Sequence, residues 1–287
     1  MTAEDRADLA GVFRRGALVV RYEPAVWPSI EKLIDTTPGS ASTASAAAAG
    51  ASLTRVHASR GATVFRSAPD AEVAFYWKEF RSRGAWDPIK SWFRASRAER
   101  AHAGAGRLRA IGLEAPRTLA LGVERRLGRG VRSFLVTEPV TGLVSLEDWA
   151  RAGSLGWRER RTMVAAVASA LARLHGAGLV HGDLRPSNVL CARDAARIVL
   201  LDNERTRRSR SRRERLRNLV QLAVDQLGPP HRTDRVRFAR AYARALGLDA
   251  ARARALVREI DAAVRARRRR RASRGLDPLT GEAKARG

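Results

Sequence analysis

The chain has 287 residues and a formal net charge of +26 at pH 7, and arginine supplies nearly all of its positive charge. This length is enough to bury a hydrophobic core, either in one two-lobed domain or in two small domains. The one cysteine, Cys191, excludes an internal disulfide and fits a reducing compartment. No apolar run approaches the ~20 residues that cross a bilayer, and residues 1–8 are acidic and lack the apolar segment of a signal peptide. We therefore expect a protein that stays inside the cell.

The excess of arginine has two interpretations. One is a surface that attracts anions, such as acidic lipid, phosphorylated glycolipid or nucleic acid. The other is a genomic bias in codon use, because the chain is also rich in alanine and glycine. The arginine run at residues 265–271 also has more than one interpretation. It fits an interaction tail, a membrane-facing patch or a solvated helix end. Charge alone does not choose among these interpretations.

Composition and periodicity divide the chain into four segments. Residues 1–52 are predicted to be an N-terminal extension that ends in a linker rich in alanine and serine. Residues 53–138 are predicted to be rich in β-structure, residues 139–264 to be mainly helical, and residues 265–287 to be a basic tail. The expected fold class is α+β, with a small β-rich lobe that precedes a larger helical lobe.

The β-rich segment begins with a predicted hairpin at residues 53–66, which turns near Gly61. A strand at residues 71–80 follows and contains Lys78. A helix predicted at residues 91–111 contains Glu99 as its one acidic residue. Later strands, at residues 118–123 and 133–137, complete the predicted sheet.

The strongest chemical signal is the segment His-Gly-Asp-Leu-Arg-Pro-Ser-Asn at residues 181–188, which is followed by Asp202. Apolar residues on either side and an Ala-Arg-Asp-Ala-Ala turn predict a short hairpin between Asn188 and Asp202. Such a hairpin brings Asp183, Asn188 and Asp202 to one edge, where they offer two carboxylates and an amide oxygen. These are hard oxygen ligands of the kind that Mg²⁺ uses together with phosphate oxygens. The competing interpretation is a polar loop whose Asp and Asn side chains only cap turns.

The Asp-x-x-x-x-Asn spacing with a later Asp at a strand end resembles the catalytic and metal-binding loops of protein-kinase-like phosphotransferases. The resemblance implies a bilobal protein-kinase-like fold that binds ATP and Mg²⁺. It implies that Asp183 accepts the proton of the attacking hydroxyl, and that Asn188 and Asp202 hold the metal. Arg185 takes a position from which it contacts the γ-phosphate.

The same resemblance implies nucleotide contacts in the β-rich lobe. The hairpin with Gly61 covers the phosphates, although it lacks a glycine-rich motif, and Lys78 pairs with the phosphates. Glu99 is the expected ion-pair partner of Lys78. The backbone groups of Glu138 and Val140 lie where a hinge between lobes is expected and are the adenine partners. The alternatives are a solvated strand lysine at Lys78 and an exposed helical carboxylate at Glu99.

Residues 55–271 resemble the bacterial lipopolysaccharide core kinases, the family of heptose and Kdo kinases. The resemblance is carried by residues 77–80 (Trp-Lys-Glu-Phe), 96–100 (Ser-Arg-Ala-Glu-Arg), 111–117 (Ile-Gly-Leu-Glu-Ala-Pro-Arg), 174–184, 201–202 and 232–242. It implies an ATP- and Mg²⁺-dependent kinase that phosphorylates a sugar hydroxyl of a lipid-linked core oligosaccharide. It further implies a peripheral position at the inner face of the cytoplasmic membrane, beside acidic lipid.

Three features argue against a protein acceptor. Gly182 replaces the arginine with which protein kinases sense a phosphorylated activation loop, and Asp202-Asn203-Glu204 stands where Asp-Phe-Gly is expected. Only a few residues separate Asp202 from the next predicted helix, which leaves no platform for an extended peptide.

Two further hypotheses stay open on the sequence. One is a kinase-like phosphotransferase of another acceptor, such as an aminoglycoside or a protein. The other is a catalytically silent module that binds acidic lipid or nucleic acid. The complete set of Lys78, Asp183, Asn188 and Asp202 favours an enzyme over a silent module. The few aromatic residues offer little base stacking, so nucleic acid is not expected as a partner.

Overall fold

The computed structural model of the protein describes residues 9–36, 53–58, 61–68, 71, 73–80, 95–126, 129–224 and 232–276. These residues form two compact units. The first unit contains the described residues as far as Gly106 together with Pro116–Val140. The second contains Arg107–Ala115 and the described residues from Thr141 onward.

The first unit is built on a seven-stranded antiparallel sheet. Its strands are β1 (Gly11–Arg15), β2 (Leu18–Tyr22), β3 (Leu53–Ala58), β4 (Ala62–Ser67), β5 (Tyr76–Phe80), β6 (Thr118–Arg126) and β7 (Arg129–Thr137). Their order across the sheet is β1-β2-β6-β7-β5-β4-β3. Two helices accompany the sheet, α1 (Trp27–Thr36), which follows a 3-10 turn at Pro24–Val26, and α2 (Arg97–Arg109).

Both faces of the sheet are covered, because successive side chains of a strand point to opposite sides. One face buries Val20, Ile30 and Trp77, and the Trp77 ring stacks on Phe134 with a centroid separation of 4.2 Å. The other face buries Phe80 in a cluster that includes Leu121, Leu135 and the alanines Ala98 and Ala101 of α2. Helix α2 therefore packs on the face of β5 that does not carry Trp77.

The second unit is mainly helical. Its helices are α3 (Leu146–Ala152), α4 (Trp157–Gly176), α5 (Arg212–Val224), α6 (Arg232–Ala245) and α7 (Ala250–Ala272). Short strands complete it: β10 (Val189–Cys191) pairs with β8 (Val144–Ser145) and β11 (Ile198–Leu200), and β9 (Leu179–Val180) pairs with β12 (Arg207–Arg208).

Helix α4 supplies much of the core of this unit. Its side chains Met163, Val167, Leu171 and Leu174 recur at helical spacing and are all buried. They pack with Leu108 of α2 and with residues of α5, α6 and the short strands. The expectation that this stripe is core rather than a cofactor face agrees with the structure.

The predicted fold class is confirmed: an antiparallel β-rich region precedes a helical one. The predicted elements recur with shifted ends, for example the strand predicted at residues 71–80, which forms only over Tyr76–Phe80. The turn of the first hairpin falls partly on residues 59 and 60, which lie outside the described residues, as do residues 81–94 at the start of the predicted helix 91–111.

The first segment differs most from the sequence expectation. Residues 11–22 were expected within an extension that precedes the β-rich lobe, yet they form β1 and β2, and β2 pairs with β6. The physical reason is burial, since Val20 is fully buried in the sheet core and Leu18 lies beside it. The predicted segment boundaries at residues 52, 138 and 264 stay predictions.

The basic segment predicted from residue 265 continues a helix. Residues 265–272 are the last two turns of α7, which ends at Ala272, and the turn that follows contains Gly275 at a positive φ of 68°. Among the described residues, no helix has the length and apolarity needed to cross a membrane.

Candidate active site

The predicted hairpin between Asn188 and Asp202 is present. Strands β10 and β11 are antiparallel, with Val189 opposite Leu200 and Cys191 opposite Ile198. Two further hydrogen bonds join the loop that contains Asp183 to the chain just before Asp202. The N–H of Leu201 donates to the carbonyl of Asn188 at 2.9 Å, and Nε2 of His181 donates to the carbonyl of Leu201 at 2.8 Å. The two segments that carry the acidic residues are therefore held side by side.

The amide of Asn188 has a fixed orientation. Its Nδ2 donates to the carbonyl of Asp183 at 2.9 Å, and the N–H of Arg185 donates to the same carbonyl at 3.0 Å. Because the nitrogen end of the amide is engaged, the oxygen end is the one that a cation would meet. Asp183 is half-buried and Arg185 is exposed, so the loop presents both side chains toward solvent.

Asp202 adopts a backbone conformation that is rare for a residue with a side chain. Its φ of 57° and ψ of 55° lie in the left-handed region, where Asp and Asn are the most tolerated residues after glycine. The buried neighbour Asn203 stabilises this turn, because its Nδ2 donates to the carbonyl of Leu200 at 2.9 Å. Strain retained at a strand end is a common feature of functional sites.

A cation fits this set of residues. Asp183, Asn188 and Asp202 offer the oxygen donors that Mg²⁺ prefers, and the hydrogen bonds above orient the Asn188 oxygen. Within the described ranges no group of three or more His, Cys, Asp and Glu side chains is placed to hold a metal. A metal here would therefore need oxygens from its nucleotide or from water.

Gly182 has a structural reason to be glycine. Its φ is +78°, and a Cβ at this position would lie 2.8 Å from both the carbonyl oxygen and the Cβ of Arg205. Backbone cannot move aside as cheaply as a flexible side chain. The arginine that protein kinases carry here is consequently excluded by the chain that follows Asp202, which returns at once as β12 beside β9.

Two buried amide side chains of α5 form hydrogen bonds with the backbone of residues 181–184. Oδ1 of Asn218 accepts from the N–H of His181 at 2.9 Å, and Oε1 of Gln221 accepts from the N–H of Leu184 at 3.4 Å. Nε2 of Gln221 donates to the carbonyl of Gly182 at 3.4 Å. Both side chains are almost fully buried, so these bonds form where water does not compete.

The same network reaches α4 and α6 through His175. Its Nε2 lies 3.3 Å from Oδ1 of Asn218, and its Nδ1 lies 2.8 Å from the hydroxyl of Tyr242. Since an amide oxygen only accepts, Nε2 carries the proton and Nδ1 accepts from Tyr242. Burial lowers the pKa of His175 to about 4 and raises the pKa of Tyr242 to about 12. The network is therefore neutral at physiological pH.

His181 is also neutral and structural. Its side chain is completely buried, and this burial lowers its pKa, although the carboxylates of Asp202 and Asp183 act in the opposite direction. Because its Nε2 donates to Leu201, the imidazole holds the loop together. The expectation that His181 braces the loop agrees with these contacts.

In the first unit, Lys78 lies at the middle of β5, between Val64 of β4 and Leu135 of β7. It points to the sheet face that α2 covers, and its Nζ lies 5.2 Å from the centroid of the Phe80 ring. Lys78 therefore lies on the sheet face against which the helix of Glu99 packs. Its role toward phosphate stays a prediction.

Glu99 has other contacts in this structure. Its Oε2 accepts from the N–H of Ser96 at 2.6 Å and from Nη2 of Arg125 at 3.0 Å, while Ser96 Oγ accepts from the N–H of Glu99. This reciprocal arrangement is a capping box at the start of α2. The contacts supply a structural reason for Glu99, and the predicted pair with Lys78 stays a prediction.

Gly61, Glu138 and Val140 also lie in the first unit. The carbonyl of Gly61 accepts a hydrogen bond from Arg97 of α2. The N–H of Glu138 donates to the carbonyl of Arg117 at 3.1 Å, and its carboxylate accepts from Arg117 Nε at 3.2 Å. The N–H of Glu138 is therefore already hydrogen-bonded within the unit. Of its two backbone groups, only the carbonyl is left for the predicted contact with adenine. Val140 is half-buried and ends this unit.

Sequence reasoning missed Asn218 and Gln221. The only available signal was two amides three positions apart in a helix otherwise read as basic. Such spacing places both on one helix face, beside the buried Leu219 and Leu222. Nothing in the sequence pairs them with residues 181–184.

The β-rich unit, the helical unit and the Asp-x-x-x-x-Asn loop joined to a strand-end Asp define the protein-kinase-like class. The family described as the lipopolysaccharide kinase (Kdo/WaaP) family matches residues 49–242. That match covers more than half of the chain, which therefore belongs to this family of kinases. The predicted family is confirmed.

Comparison with solved structures gives the same fold. A chain described as WaaP in complex with acyl carrier protein has a TM-score of 0.51 and 24% sequence identity. The match covers 74% of this chain and 88% of that one. At this identity the likeness supports the fold alone.

Two curated proteins share a short segment. The serine/threonine-protein kinase AfsK of Streptomyces coelicolor is 56% identical over 39 residues, which are 14% of this chain and 5% of that kinase. AfsK of Streptomyces griseus is 54% identical over 39 residues, with the same coverage. This chain therefore matches about one-twentieth of the length of these relatives.

Substitution of Gly182 by Ala is expected to destabilise the protein by about 1–3 kcal/mol, because a Cβ adds left-handed strain and a collision with the backbone of Arg205. Gly153→Ala is the matched control, since Gly153 has a φ of +60° but open space around it. Chemical denaturation of both variants should show a larger loss for Gly182→Ala. Equal losses of stability in the two variants would mean that the contact between the added Cβ and Arg205 does not contribute to the free energy of unfolding.

The buried His175 is expected to make stability depend on acidity. Its pKa is about 4 in the folded protein and near 6.5 in an unfolded chain, so the unfolded state binds the proton first as the pH falls. The free energy of unfolding should fall between pH ~6.5 and pH ~4, with a share from His175 on the order of 3 kcal/mol. His175→Phe should flatten this slope, while Tyr242→Phe, which keeps the imidazole, should retain it. An unchanged slope in His175→Phe would contradict the assignment.

Proposed function

We propose that this protein transfers the γ-phosphoryl group of ATP to a sugar hydroxyl of a glycolipid of the lipopolysaccharide-core type. The observation that carries the proposal is the pairing of the loop at residues 181–188 with the chain before Asp202, through Leu201. This pairing supports the proposal because it joins the segment that contains Asp183 and Asn188 to the segment that ends at Asp202. Membership in a kinase family supports the reaction class.

Asp183 acts on the acceptor. Its carboxylate orients the sugar hydroxyl and takes its proton as the new oxygen–phosphorus bond forms, while the bond between the γ-phosphorus and the bridging oxygen breaks and ADP leaves. The proton then passes from Asp183 to water. Arg185, exposed on the same loop, offers a forked cation to the γ-phosphate.

Asn188 and Asp202 would hold the metal, with Oδ1 of Asn188 presented because Nδ2 is engaged. Bound Mg²⁺ supplies neutralisation of the phosphate charge. Lys78 has the role of positioning the α- and β-phosphates, and the hairpin with Gly61 and the backbone of Glu138 and Val140 have the role of binding the rest of the nucleotide. Most of the acceleration in such a reaction comes from positioning and electrostatic stabilisation.

The acceptor is proposed to be lipid-linked and the enzyme to work at the inner face of the cytoplasmic membrane. The short chain between Asp202 and α5 supports a non-protein acceptor. Residues 203–211 contain one 3-10 turn at Asn203–Arg205 and the two-residue strand β12, which leaves no extended segment for a peptide to bind.

A second acceptor class deserves testing because of the 39 residues shared with AfsK. A protein acceptor would be detected by incubating the enzyme and labelled ATP with a protein mixture and, in parallel, with a lipid-linked core oligosaccharide. Label on the glycolipid supports the proposal. Label on protein alone would contradict it.

Binding of Mg²⁺–ATP is expected to raise the stability of the wild-type protein by about 2–3 kcal/mol at a concentration ~100 times its Kd. Asp202→Asn should keep the left-handed turn, because Asn tolerates it, but should lose the part of the rise that depends on Mg²⁺. The measurement is thermal unfolding with ATP, with and without Mg²⁺. No rise in either protein would favour the silent module over the enzyme.

Substitution of Asp183 by Asn is expected to lower kcat by about 10²–10⁴-fold, because the general base is removed, while the Mg²⁺–ATP stabilisation persists. Asp194→Asn is the matched control. Asp194 accepts from the N–H of Ala196 in the turn of the same hairpin, and an amide oxygen can replace that contact. Full turnover by Asp183→Asn would exclude Asp183 as the base.

A further inference from the structure

The helical unit carries one exposed aromatic side chain at one of its ends. Trp157, the first residue of α4, is 64% exposed, and the guanidinium of Arg158 lies 5.2 Å from its ring centroid. Arg161 is exposed one turn later. Among the described residues, no other Trp, Phe or Tyr is exposed to this degree. A single exposed apolar side chain does not by itself indicate a partner surface, so the significance of Trp157 depends on the charges around it.

Two ion pairs connect this end of α4 to α7. Arg160 Nε of α4 lies 2.7 Å from Oδ2 of Asp234 in the first turns of α6. The next residue of α6, Arg235, lies 3.5 Å from Asp261 of α7. Arg265 follows Asp261 by about one helical turn. The start of α4 and the last turns of α7 therefore lie at the same end of the unit.

The exposed face of α7 is a row of arginines. Arg254, Arg258, Arg265 and Arg269 are all exposed, and their spacing of four, seven and four residues places them on one side of the helix. No ion pair joins any of these four to another described residue, whereas Arg252 and Arg235 on or beside α7 have carboxylate partners. The row is therefore positive charge without local compensation.

The acidic side chains at this end are already paired. Asp234 contacts both Arg160 and Arg237, and Glu159 contacts Arg193. They therefore offset little of the charge of the exposed arginines. The end of the unit that consists of Trp157, Arg158, Arg161, Arg265 and Arg269, here called the basic end, combines uncompensated cations with an amphipathic ring.

We propose that the basic end binds the surface of an anionic phospholipid bilayer. Tryptophan favours the boundary between headgroups and acyl chains, and arginines near an acidic leaflet are attracted to its surface potential. A binding surface for single-stranded nucleic acid would need several stacking rings, and this end offers one. The inference gives the membrane-facing part of the proposed function a location, and its test does not require phosphoryl transfer.

The test is co-sedimentation of the full chain with vesicles of equimolar phosphatidylcholine and phosphatidylglycerol, compared with vesicles of phosphatidylcholine alone. Binding is expected only to the anionic vesicles and should weaken as salt is added. Arg265→Gln with Arg269→Gln should reduce the affinity roughly tenfold or more, because two charges leave the surface. Trp157→Ala should reduce it separately by removing the inserted ring.

The matched control removes the same charge elsewhere in the same unit. Arg151 and Arg197 are exposed and pair with Glu147 and Glu114, so Arg151→Gln with Arg197→Gln should bind the vesicles almost as the wild type does. An equal loss in this control would overturn the location, because net charge alone would then explain binding.

Three further measurements distinguish a bilayer from other anionic partners. Inorganic phosphate at the same phosphate concentration should not displace the vesicles, and displacement would indicate a site for a free anion instead. Tighter binding to a single-stranded oligonucleotide, unchanged by Trp157→Ala, would overturn the bilayer as the partner. Asp183→Asn should bind vesicles as the wild type does, so that loss of catalysis and loss of membrane binding are read separately.

Discussion

The geometry of the candidate site depends on the main chain of Leu201. Its N–H and its carbonyl are bound from one side, by Asn188 and by His181, and Asp202 is the next residue. The loop with the proposed base and the turn with the proposed metal ligand are thereby fixed to each other through backbone. Side chains at Asp183 and Asp202 can then differ in function without changing how the two segments meet. The bond from His181 is costly to lose, because the imidazole is fully buried and its unpaired N–H would stay out of water.

The support under this loop is uncharged. Asn218 and Gln221 hold the backbone of residues 181–184 with amides, and His175 stays neutral because burial lowers its pKa. A carboxylate in the same buried place would carry a desolvation cost and would add to the negative charge of the two aspartates nearby. With neutral amides, the negative charge near the loop comes from Asp183 and Asp202 and not from the side chains that support it. In the proposed function, the phosphates and their cation would then meet a field to which the support adds no charge.

The sequence predicts those parts of the protein that depend on patterns among residues close together in the chain. Alternation around residues 189–200 predicts the hairpin, helical spacing in α4 predicts its core, and the motif at residues 181–188 predicts the candidate loop. The roles of Asn218 and Gln221 depend on contacts almost forty residues away, which no local pattern records. For Glu99 the sequence prediction named a partner in the sheet, and the structure adds a local role, because Ser96 and Glu99 form a capping box. The first two strands were missed because the low-complexity segment after them favoured a linker, which hides a pairing between residues 18–22 and 120–124.

The pairing of β2 with β6 has a consequence for truncated versions of the protein. The family match begins at residue 49, so a version trimmed to the matched region would lack β1 and β2. Strand β6 would then become an edge strand with a free row of N–H and carbonyl groups, next to apolar surface at Leu119 and Ala120 that β2 and α1 now cover. Open edges of this kind recruit other strands and lead to aggregation. The N-terminal hairpin, although outside the family match, therefore covers apolar surface of this sheet and moves its edge from β6 to the short strand β1.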